Sequence, residues 1–115
     1  MQKNNYIRSE DDEQKALVEY LELRHLKFTA IPNSTFTRSW AVKMRNKALG
    51  LRPGLPDLIV ISPANRLLFI EMKRVKGGVV SEFQKSWIEA LGSCPGIKAV
   101  VCKGADEAIK FIKEN

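Results

Sequence analysis

Asp57, Glu71 and Lys73 are the residues of this chain whose types and spacing could do chemistry. Two carboxylates brought together can hold a hard divalent cation, which takes oxygen ligands from carboxylates, backbone carbonyls and water. An ammonium beside them can hold a nucleophilic water or offset the charge that builds on phosphorus in a transition state. Glu71 is the oddest of the three, because it follows the apolar run Leu67-Leu68-Phe69-Ile70. An ionised carboxylate buried there is costly unless a cation or a strong partner compensates it. A bound Mg2+ would supply that compensation.

A blander reading has Asp57 capping a turn and Glu71 with Lys73 as an exposed cross-strand ion pair, an arrangement worth little. The turn before Asp57, the apolar run before Glu71 and the basic excess together favour the chemical reading.

A hairpin must position these groups. Asp57 follows the stiff turn LRPGLP and opens the apolar run Leu58-Ile59-Val60-Ile61. Ser62-Pro63-Ala64-Asn65 reads as a turn and residues 66–73 as the returning strand. Strands rise about 3.3 Å per residue and lie about 4.8 Å apart. The start of one arm and the end of the other therefore meet at the same end of the sheet. Alternation places Leu67, Phe69, Glu71 and Lys73 on one face and Leu68, Ile70 and Met72 on the other.

The remaining elements follow from periodicity and caps. Ser9 caps a helix that runs to about His25, with Glu10, Asp11 and Asp12 in its first turn and Leu17, Tyr20 and Leu21 on one face. Glu10 either faces inward toward the hairpin acids or only complements the helix dipole. Glu13 is expected on a solvated turn. Phe28 to Ile31 reads as a short strand stopped by Pro32-Asn33. Residues 38–49 read as a helix with Trp40, Ala41, Met44, Ala48 and Leu49 at helical spacing, ended by Gly50. Ser81 caps a helix whose apolar face is Phe83, Trp87, Ile88 and Leu91. Gln84 either caps Ser81 reciprocally or reaches the site. Ala99 to Cys102 is a buried strand, and Ala105 to Lys113 a last helix. This order predicts an α/β domain over residues 1–115, a mixed sheet flanked by helices, with residues 1–8 a loose tail.

Composition narrows the function. The 115 residues carry 19 Lys and Arg against 13 Asp and Glu, a formal net charge of +6. That excess favours an anionic partner. Cys94, Cys102 and the lone His25 lack zinc or redox spacing, and reduced, partly buried thiols are expected. No apolar run approaches a membrane span and no signal core opens the chain, so a soluble, cytoplasmic protein is expected.

At Gly54-Leu55-Pro56-Asp57, Glu71-Met72-Lys73 and Ser81-Glu82-Phe83-Gln84, the chain resembles the VRR-Nuc family of the PD-(D/E)xK nuclease superfamily, most of all its short stand-alone phage and bacterial members. Glu10 with Gln14, and Pro32-Asn33 followed by Arg38 and Arg45, extend the likeness over nearly the whole chain. The resemblance implies a restriction-endonuclease-like core. It implies Asp57, Glu71 and the Met72 carbonyl as Mg2+ or Mn2+ ligands, with Glu10 as an additional acid. Lys73 would be the catalytic base or water-orienting residue and Gln84 a supporting one. It also implies a homodimer.

Arg38, Lys43, Arg45, Lys47, Arg52, Arg74 and Lys76 are the residues placed to grip a DNA backbone, or else form a solvated basic face. Phosphate contacts position a duplex without reading its sequence. A short chain leaves little surface for base readout, so structure-selective cutting of branched, junction or flap DNA in repair or recombination is expected. The rival readings are a non-catalytic nucleic-acid-binding module and a small scaffold of a recombination complex.

Overall fold

The computed structural model describes residues 7–32 and 38–115. Residues 1–6 of the polar tail and Asn33 of the Pro32-Asn33 turn lie outside the described residues. The elements are α1 (Glu10–Leu23), β1 (Phe28–Ala30), α2 (Trp40–Ala48), β2 (Leu58–Ile61), β3 (Leu67–Lys73), α3 (Glu82–Gly92), β4 (Ile97–Lys103) and α4 (Ala105–Glu114). Their order is the expected one.

The strands form a mixed sheet in the order β1-β2-β3-β4. The first two pairs are antiparallel and β3 with β4 is parallel. The β2–β3 turn closes on Ser62, whose hydroxyl accepts from the Arg66 N–H at 3.1 Å. The register sets Leu58 opposite Ile70. One step further along the same ladder brings Asp57 opposite Glu71.

β3 is buried on both faces because the sheet is covered on both. Leu68, Ile70 and Met72 are fully buried and pack with Leu58, Val60 and Cys102, with Leu17 and Leu21 of α1, and with Ala108 and Ile112 of α4. Each large side chain so placed contributes about 1.5–3 kcal/mol through loss of apolar surface to water. Alternation turns Phe69, Glu71 and Lys73 to the opposite face, where Gln84 of α3 reaches Glu71. All the acids of interest lie at the end of the sheet where β3 and β4 finish. There Gly104 donates its N–H to the Lys73 carbonyl at 2.8 Å.

Three packing expectations fail. α2 is helical and Ser39 caps it, but no residue of this described helix is buried, and Trp40 is 74% exposed. Helical spacing defines a face and does not supply a partner. Both faces of the sheet are occupied by other helices. On α3, Phe83 is 62% exposed while Trp87 and Ile88 are half-buried. Finally, the cysteines divide, with Cys94 exposed and Cys102 buried, both free. Burial pushes the Cys102 thiol up to about 12, which leaves it a core side chain.

Candidate functional site

Asp57 is held by its neighbours on both sides. Its backbone carbonyl accepts from Ile31 N–H at 2.7 Å, and its Oδ2 accepts from Met72 N–H at 2.8 Å. The carboxylate is thus tied across the sheet to the strand that carries Glu71. The preceding turn is anchored to α3, since Trp87 Nε1 donates to the Pro53 carbonyl at 3.0 Å. Gly54 has φ +99, and a Cβ there would stand 2.5 Å from the Phe83 backbone. Only glycine allows both the backbone angle and the approach. That contact brings the start of α3 against the acids.

Among the described residues, Glu10, Asp57 and Glu71 offer carboxylate oxygens that all lie within 4.8 Å of one another. Glu71 is 1% exposed, and its Oε1 is buried without a hydrogen-bond partner among the described residues. Burial first, and then the neighbouring Asp57 carboxylate, push its pKa up to about 9, while Lys73 pulls the other way. Glu10 is also raised, by burial foremost and by Asp57 and Asp11, with Lys73 again opposing. Three carboxylates crowded at one point, one of them buried with an orphaned oxygen, are what a bound divalent cation relieves. The donor set is all oxygen, which suits Mg2+ or Mn2+ and not a soft metal.

Glu10 faces inward, which resolves the two readings left open for it. Lys73 is 7% exposed at the end of β3, so it is not half of a solvated surface pair. Gln84 fills both of its expected roles at once. Its Oε1 accepts from Ser81 N–H at 2.9 Å, its own N–H donates to Ser81 Oγ at 3.1 Å, and its Nε2 donates to Glu71 Oε2 at 3.2 Å. The cap fixes the amide so that its other end can hold the acid. The Met72 side chain is in the core and its N–H is spent on Asp57, which leaves its carbonyl next along the strand between Glu71 and Lys73.

Glu13 overturns the expectation of a solvated acid. It is 4% exposed, and its Oε1 accepts from Ala105 N–H at 3.1 Å. Gly104, at φ +91, gives α4 no side-chain cap, so a carboxylate from another helix satisfies that N-terminus. Arg8 lies 3.6 Å from the same oxygen. This contact locks the first turn of α1 to the end of β4, which sets where Glu10 stands. The sequence carried a faint signal for it: Glu13 precedes Leu17 by four residues, on the buried stripe.

The cations Arg38, Lys43, Arg45, Lys47, Arg52, Arg74 and Lys76 are all exposed. Lys43, Lys47 and Arg52 line one cavity beside the acids, and Arg52 is oriented by the Lys47 and Leu51 carbonyls, each at 3.1 Å. Arg74 turns back toward the loop at Gly77. No helix among the described residues is long and apolar enough to cross a membrane.

Comparison with known proteins finds a family and a fold match. The model of the VRR-NUC domain family matches residues 5–106. A solved structure described as a VRR-NUC domain protein is similar at 31% identity with a TM-score of 0.66, covering 94% of this chain and 88% of its own. Curated proteins give no significant match.

Proposed function

Because the chain belongs to the VRR-NUC domain family and so carries a nuclease-type domain, we propose that it is a Mg2+- or Mn2+-dependent DNA endonuclease that hydrolyses phosphodiester bonds in branched, junction or flap DNA. The observation that supports this most is the cluster of Glu10, Asp57 and Glu71, with an unpartnered buried oxygen, beside a buried lysine.

Asp57, Glu71, Glu10 and the Met72 carbonyl would hold the cation. When bound, the cation supplies Lewis acidity at the phosphate and lowers the pKa of a coordinated water. Gln84 keeps Glu71 aimed, and the Met72 N–H keeps Asp57 aimed, so neither acid reorients during reaction. Lys73 holds the attacking water at its Nζ and offsets negative charge on the phosphoryl oxygens. Arg38, Lys43, Arg45, Lys47, Arg52, Arg74 and Lys76 bind phosphates away from the cut.

A homodimer belongs to the same reading. Trp40, Ala41, Met44 and Ala48 form an exposed stripe on α2, which a second copy would cover. Two sites could then cut both strands of a junction. The working place of such an enzyme is the cytoplasm.

The decisive experiment incubates purified protein with labelled linear, nicked, flapped and four-way DNA, with Mg2+ or Mn2+ and with EDTA. Cleavage that EDTA abolishes, and that Asp57→Ala and Lys73→Ala lose while still binding DNA, supports the reading. Binding without cleavage by wild type on every substrate sinks it in favour of a non-catalytic binding module.

A further inference from the structure

The acidic cavity, of about 260 Å3, continues past Phe83. Pro53 and Phe83 line both this cavity and an adjoining one of about 510 Å3, whose walls include Lys43, Lys47, Leu51 and Arg52. The second volume falls within the size of small-molecule sites, roughly 300–1,000 Å3. Among its described lining residues three are cationic and none is acidic. Its charge therefore matches an anion that enters beside the acids.

Phe83 forms the ridge between the two cavities. Its ring is open to solvent, but its mounting is stiff. Its backbone lies against Gly54 at a distance no Cβ would allow, and Trp87 of the same helix grips Pro53. The exposed ring does nothing for the core. A flat apolar surface set among cations suits the two halves of a nucleotide, the phosphate for the cations and the base for the ring.

We propose that this second cavity is a nucleotide subsite in which Phe83 stacks on an unpaired DNA base next to the scissile phosphate, while Lys43 and Lys47 hold flanking phosphates. The proposal rests on the nuclease reading for the polymer that enters. Within a paired duplex each base face is covered by its neighbours, so the ring engages only frayed, flapped or junction DNA. Phe83 is thus the physical source of the preference for such structures.

The test reads binding, so that it can fail separately from the cleavage assay. All proteins carry Glu71→Gln to prevent cutting. The probe is a duplex with a single-stranded flap, bearing 2-aminopurine at the first unpaired position. Binding to protein that keeps Phe83 quenches the fluorescence through stacking. Phe83→Ala abolishes the quench and weakens flap binding about tenfold, the loss of one stacked base. Its preference for flap over matched duplex falls with it, and Phe83→Trp restores both. Because the ring is exposed, equal circular dichroism melts confirm that the variants fold. Lys47→Gln lowers the slope of log affinity against log salt by about one. A quench that is absent with Phe83 present, or that survives in Phe83→Ala, overturns the proposal. So does an equal loss on flap and matched duplex. If wild type cuts nothing yet the quench depends on Phe83, the subsite stands and the nuclease reading falls.

Discussion

β3 and α2 carry the two halves of the proposed activity, and they are built in opposite ways. Six of the seven residues of β3 are buried, and its Glu71 carboxylate is held by Gln84 of α3. α2 has no buried residue and displays its cations on open surface. The contrast fits what the proposed activity would ask of each group. A metal site tolerates little positional error, so its ligands sit where packing removes rotamer freedom. Phosphate contacts are electrostatic and forgiving, so a peripheral helix is enough to hold them.

Breaking the buried half should have the largest effect. Lys73→Gln or Asp57→Ala is expected to reduce cleavage on the order of 10²–10³-fold, while Arg45→Gln on α2 weakens DNA binding only modestly and mainly through its salt dependence. Cleavage rates at saturating DNA, set against binding isotherms at two salt concentrations, separate the two. Comparable losses in rate from both variants would erase the distinction between the regions.

Next in size is the contact that aligns α1. Glu13→Ala leaves the α4 N-terminus without its acceptor and is expected to cost about 1–3 kcal/mol, read as a lower urea midpoint. Glu13→Gln keeps an acceptor oxygen and should recover part of the loss. A neutral Glu13→Ala would show that Glu10 is placed by something else.

Protons probe the same buried half. A carboxyl whose pKa is higher in the folded state than its ordinary 4.5 binds its proton more tightly when folded. For Glu71 this stabilisation is fully present below about 4.5, and it is lost as pH rises toward about 9. Metal-free protein should therefore become less stable across that window. The cation must displace this proton, so Mn2+ affinity should climb up to about tenfold per pH unit over the neutral range. Calorimetric titrations at several pH values check both the slope and the proton released. In Glu71→Gln the pH dependence of metal-free stability should flatten.

The smallest effect on stability is expected in α2. Trp40→Ala should change unfolding free energy by no more than about 0.5 kcal/mol, because the side chain is 74% exposed. Met44→Glu should be equally mild for the fold, yet shift a dimer toward monomer in sedimentation velocity. A large loss of stability in dilute protein would mean that α2 packs more deeply than it does here.

Much of the site could be read from residue order because it depends on local rules. The Pro/Gly turn before Asp57, the apolar run before Glu71 and the two-residue step to Lys73 fix a hairpin with its acids at one end, since strand alternation and antiparallel pairing leave few alternatives. The caps at Ser9 and Ser81 are local for the same reason. The burial of Glu13 left only a faint signal there, and the exposure of Phe83 and of α2 left none. Whether Glu13 meets water or the Ala105 N–H depends on where α4 begins, 92 residues away. Whether Phe83 packs or stands open depends on how closely Gly54 lets the turn approach α3, and whether Trp40 finds a partner depends on which helices already cover the sheet. Periodicity assigns each side chain a direction along its own element, whereas burial is a property of the assembled layers, and only the tertiary structure decides it.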